Sequence, residues 1–195
     1  MLFDRINIKK IIKSHIATFY DYGELQFNGT HKTPFTDKFV FLFFPFILAL
    51  SLISLKIYFS EFYINATLTC LALFIGLLFN FLTLIYQIIN KLKLEEVDSL
   101  DEKLKARFQL SKELFVNVAF SIVLSILCIL SLLLTQLHPK ILITILKNLK
   151  FYSLLKTIYQ DITSCVSYFL ITEFVLTLLM ILKRFFLIFD KEFQK

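Results

Sequence analysis

The hydrophobic pattern falls into four long blocks. Residues 39–55, 63–89, 114–137 and 162–182 are apolar almost without interruption, and only the last contains a charge, Glu173. A spanning helix needs about 20 mostly apolar residues to cross a hydrocarbon core of about 30 Å. In lipid, each backbone N–H and C=O must be bonded within the structure that spans, which leaves helices or a closed barrel. Barrel strands alternate apolar and polar positions with a period of two, and these blocks do not. The pattern predicts an all-α polytopic membrane protein with four transmembrane helices over residues 39–182 and a loop at 90–113.

Shorter patterns fill the gaps. In the arm formed by residues 1–38, Phe3, Ile8, Ile11, Ile12, Ile16 and Phe19 fall near one helical face, with Arg5, Lys9, Lys10 and Lys13 between them. Such a basic amphipathic helix either lies on an anionic leaflet or packs on the end of the bundle. Asp21-Tyr22-Gly23 ends it, and Asn28-Gly29 marks a turn. Pro45 predicts a kink in the first span, and the short Lys56-to-Glu61 turn makes spans one and two antiparallel neighbours. Span two exceeds the bilayer and should tilt or project.

The loop at 91–113 holds six basic and six acidic residues, with Val97, Leu100, Leu104 and Phe108 at helical steps. It reads as a solvated amphipathic helix or as a docking surface for a cytosolic partner. Leu137-His138-Pro139 predicts a helix break. Beyond it, Lys140, Thr144, Lys147 and Asn148 oppose Leu142, Ile145, Leu146 and Leu149, the pattern of an interfacial helix or a re-entrant segment. In the tail at 183–195, Lys183 and Arg184 are expected to snorkel to the headgroups.

Polar positions inside the spans supply the candidate chemistry. Asn117, Ser121, Ser125, Cys128, Ser131 and Thr135 advance in steps of three and four along one face of span three. Small polar side chains let membrane helices approach closely, although a water-lined path uses the same residues. Glu173, near the middle of span four, costs about 2.5–3.5 kcal/mol to insert, so it should face the bundle interior or water. Asn80 in span two and Asn117 in span three are its candidate partners, and Glu173, Asn80 and Asn117 together form the candidate intramembrane site.

Composition agrees with a membrane class: 57% hydrophobic residues, 24 Phe and no Trp. Sixteen of the 21 Lys and Arg lie in the arm, the central loop and the tail, and five lie in the two remaining loops. Because cytoplasmic loops carry the excess, both termini are expected inside, and the net charge of +6 needs no nucleic acid to explain it. No cleavable signal sequence is expected ahead of the first span, which should itself serve as the insertion signal. Cys70, Cys128 and Cys165 lie in separate spans, with no His at metal-ligand spacing. Neither a metal nor a cofactor is expected, and the sequons at Asn28 and Asn65 are short enough to arise by chance. There is no Walker loop, dinucleotide fingerprint, zinc-protease motif or nucleophile elbow, which argues against an enzyme.

The stretches Phe74-Ile75-Gly76-Leu77-Leu78-Phe79-Asn80-Phe81-Leu82-Thr83-Leu84-Ile85-Tyr86, Lys112-Glu113-Leu114-Phe115-Val116-Asn117-Val118-Ala119-Phe120 and Leu178-Leu179-Met180-Ile181-Leu182-Lys183-Arg184-Phe185-Phe186 resemble short four-pass prokaryotic membrane proteins of anti-phage defence. In size and span count the chain is also similar to the membrane subunit of the Kiwa system. The resemblance implies a homo-oligomeric sensor or effector in the bacterial inner membrane, working with a cytosolic partner. A small channel or transporter subunit, with Glu173 lining the path, is the competing expectation.

Overall fold

The computed structural model describes residues 8–18, 35–94, 102–146 and 152–193, which form five helices and no strand among the described residues. They are α1 (Ile8–Ile16), α2 (Phe35–Ser54), α3 (Glu61–Leu94), α4 (Glu102–Leu146) and α5 (Tyr152–Phe193). Three stretches are long and apolar enough to cross a membrane: Glu61–Leu92, Arg107–Gln136 and Leu154–Ile188. The 32 residues of the first rise about 48 Å, more than a bilayer core requires. In α2 the apolar stretch is Phe39–Ser54, below the usual spanning length.

The central helix is α4, which packs against α3, α5 and α1, while α2 packs against α5. On α3 the buried residues Ile64, Leu71, Leu78, Ile85 and Leu92 repeat every seven positions. That repeat is the seam of left-handed helix packing, one side chain every two turns meeting the neighbour. Leu114, Val118, Ile122, Leu124, Cys128 and Leu132 of α4 join the same core cluster. Outside the seam, Leu73, Leu77, Phe79, Leu84 and Tyr86 are exposed. A surface that apolar is suited to lipid rather than water.

Local chemistry fixes the connection between α2 and α3. Helix α2 runs on through Pro45 and ends with Lys56 N–H bonded to Ile53 O (2.8 Å) and Ile57 N–H to Leu52 O (3.1 Å). These bonds form a Schellman cap, with Lys56 in the left-handed region at φ 55° where glycine is usual. Ser60 then opens α3, its Oγ accepting from Tyr63 N–H at 3.4 Å. The link is strapped onto α5: Tyr58 donates to Asp161 at 2.7 Å, Tyr168 donates to Ile57 O at 3.1 Å, and Phe59 stacks on Tyr168.

Two sequence expectations are corrected. The helix does not break at Leu137-His138-Pro139; α4 continues to Leu146, so residues 140–146 of the expected interfacial helix belong to α4, while Lys147, Asn148 and Leu149 lie outside the described residues. A proline removes one ladder bond, and the i→i−4 bonds of the turns on either side of it still carry the helix on. Nor is 102–113 a loop helix of its own, because it forms the first turns of α4, with Leu110, Ser111 and Glu113 buried. Val97 and Leu100, expected on that helix, lie outside the described residues, as do the turns at Asp21-Tyr22-Gly23 and Asn28-Gly29.

Candidate functional site

At the end of the bundle where α1 sits, polar residues from three helices meet in a buried cluster. Asn117 is fully buried on α4. Its Oδ1 accepts from His15 Nδ1–H at 2.9 Å and from the Thr18 hydroxyl at 3.0 Å. Those two donors set its orientation and fix the imidazole with its proton on Nδ1. The Thr18 hydroxyl shares its single proton between Asn117 Oδ1 and His15 O, the latter at 2.6 Å, which closes the last turn of α1. The His15 ring lies flat on Phe120, with centroids 3.8 Å apart and planes at 13°.

The second half of the cluster comes from α5. Arg184 donates from Nη2 to Thr18 O and lies 3.8 Å from the Glu113 carboxylate. Gln109, one turn before Glu113, donates to its other oxygen at 2.8 Å. Both members of the ion pair are buried. Taking two charges out of water costs several kcal/mol each, and only the mutual attraction and added hydrogen bonds offset that cost. Removing either partner therefore leaves an uncompensated buried charge.

This arrangement resolves how the amphipathic arm is seated. His15 and Thr18 are buried, while Ile8, Ile12 and Ile16 are exposed. The helix docks through an edge on which His15 and Thr18 are buried and Ile11 and Ser14 are half-buried. Desolvation by burial pulls the His15 pKa from 6.5 down to about 4. The hydrogen bond to Asn117 opposes the shift, and the Arg184 charge adds to it. The docked imidazole is therefore neutral at physiological pH.

The stripe on α4 is buried and meets the seam with α5 at Ser131: Ser121, Ser125 and Cys128 are fully buried and Ser131 nearly so. Ser131 and Ser167 share a hydrogen bond of 2.7 Å across it, and Ser125 bonds back to Ser121 O at 2.7 Å. Glu173 is buried on α5, and its Oε2 has no hydrogen-bond partner, as is also true of the Ser121 and Ser164 hydroxyls. The Ser131–Ser167 and Glu113–Arg184 pairs set an antiparallel register that puts Glu173 level with Leu124 and Ser125. Asn117 is then two turns away along α4, about 11 Å at the helical rise.

The expected trio is thereby dispersed. Asn117 pairs with His15 and Thr18 instead of Glu173, and Asn80 is exposed on α3. The tail also differs, since Lys183 is exposed but Arg184 turns inward instead of outward to the headgroups, drawn by Glu113 and the end of α1. His15, Thr18 and Glu113 were missed by sequence reasoning. One signal was present: Glu113 begins one apolar block and Arg184 follows another, so antiparallel packing brings opposite charges to one level. No family model, curated protein or solved structure matches the chain.

Proposed function

We propose that this chain is a non-enzymatic membrane subunit of a bacterial anti-phage defence system. On this reading it crosses the inner membrane four times, with α2 as the first pass and both termini in the cytosol, and assembles as a homo-oligomer with a cytosolic partner. The supporting observation is the His15–Asn117–Arg184 junction, which ties an extramembrane helix to two long apolar helices through buried polar contacts. A junction of that kind converts a shift between α4 and α5 into release or reseating of α1, because polar contacts fail abruptly when geometry is lost. The defence setting rests on the resemblance of the three stretches given above, and the orientation rests on the Lys and Arg distribution. The test is phage plating efficiency in cells carrying the gene with its native neighbours, beside Asn117→Leu and a deletion. Protection by wild type that Asn117→Leu abolishes at equal membrane abundance is expected. Plating efficiency equal in wild type and deletion across a broad phage panel rejects the defence role.

The channel reading keeps one specific support, the buried and unpartnered Glu173 Oε2 with the unpartnered Ser121 and Ser164 hydroxyls on neighbouring helices. Buried polar atoms without partners are rare and invite water or a permeating ion. Ion flux into proteoliposomes, lost in Glu173→Gln at unchanged oligomer yield, favours this reading, and absence of flux removes it.

A further inference from the structure

A cleft of about 430 Å³ opens between α3, α4 and α5 near the α1 end of the bundle. Its floor is apolar, with Phe81, Ile85 and Ile88 from α3 facing Phe185 and Ile188 from α5. Two cations, Lys91 and Arg107, and the Ser111 hydroxyl line it as well. Lys91 and Arg107 stand at the end of one apolar helix stretch and the start of the next, where a spanning helix meets the headgroups. We propose that this cleft binds an anionic phospholipid, the phosphate held by Lys91, Arg107 and Ser111, and an acyl chain lying along Phe81, Ile88 and Ile188.

Three features select that ligand. The lining joins an apolar wall to a cationic rim, matching a molecule with a hydrocarbon chain and a phosphate. Guanidinium and ammonium groups bind phosphate through charge-assisted hydrogen bonds, and a serine hydroxyl adds a third donor. Basic pockets between helices at the membrane surface are suited to anionic headgroups, whereas a zwitterionic choline lipid would place its own cation against Lys91 and Arg107. The site is independent of the defence reading and of which end of the bundle faces the cytosol.

Native mass spectrometry of the full chain in detergent, titrated with phosphatidylglycerol or phosphatidylcholine, tests the proposal. Wild type should retain phosphatidylglycerol preferentially. Lys91→Gln/Arg107→Gln should bind it roughly thirtyfold more weakly, the effect of removing two headgroup-level cations. Lys105→Gln, an exposed cation on α4 outside the cleft, should leave binding unchanged. Thermal unfolding of the double variant without added lipid checks that it folds. Equal retention of the two lipids by wild type, or of phosphatidylglycerol by the folded double variant, overturns the proposal. If glycerol phosphate alone stabilises the protein as much as the whole lipid does, the acyl-chain assignment falls.

Discussion

Acidification should release α1. His15 is held near a pKa of about 4 when docked and returns to its ordinary 6.5 when the helix is free in water. A group depressed in the bound state contributes docking stability that is complete above the free pKa and is lost as pH falls toward the docked value. The window therefore runs from about pH 6.5 down to about 4, and its full size is about 3 kcal/mol. Between pH 7.5 and 5.5 the loss is about 1.3 kcal/mol, close to tenfold in the opening equilibrium. The charged groups facing the imidazole are Arg184 from α5 and, beyond it, Glu113 from α4. Hydrogen-exchange protection factors of the α1 amides read the opening directly, because they divide out the intrinsic pH dependence of exchange. They should fall about tenfold over that interval in wild type and in Glu113→Gln, and stay level in His15→Gln. An equal fall in His15→Gln, or a change under twofold in wild type, refutes the argument.

Three other perturbations follow from the same geometry. Arg184→Met strands the buried Glu113 and should cost about 3–5 kcal/mol in detergent unfolding, whereas Arg184→Met/Glu113→Leu should recover most of the loss; equal costs would mean the two charges are not coupled. Ser121→Leu and Ser125→Leu put bulk into fully buried positions and should each destabilise by about 1–3 kcal/mol or more, while exposed Ile126→Leu should cost little, and equal effects on both faces would remove the oriented packing face. Lys56→Gly should stabilise by about 1 kcal/mol, since the capping position has φ 55° and glycine adopts it freely; a lower unfolding temperature would count against the cap.

The sequence carried the helical class and the lipid-facing surface plainly, because apolar blocks of that length have few other uses. It also marked Ser121, Ser125, Cys128 and Ser131 as one face of α4, since their spacing is that of a helix. Helix ends were less legible. Pro139 and the charged residues before Leu114 look like boundaries, yet α4 runs through both, because neighbouring turns supply enough bonds to continue. Least visible was the junction. It joins His15 to Asn117 across 102 positions and Thr18 to Arg184 across 166, and no local pattern encodes pairing over such distances. Glu173 drew attention as the lone charge in an apolar block, but Asn117 satisfies a different residue.

The seating of α1 has one more consequence. Its buried edge carries His15 and Thr18 beside the half-buried Ile11, while Ile8, Ile12 and Ile16 are exposed. Lys9, Lys10 and Lys13 are exposed alongside that stripe. An amphipathic helix with such a face gains free energy by dipping it into the headgroup region, and basic residues strengthen that attraction to anionic lipid. Asn117 and Arg184 hold α1 on the bundle, and its exposed isoleucines are left for an apolar surface beside it. Protonation of His15 weakens the bundle side of that seating, so pH is the perturbation that probes the junction most directly.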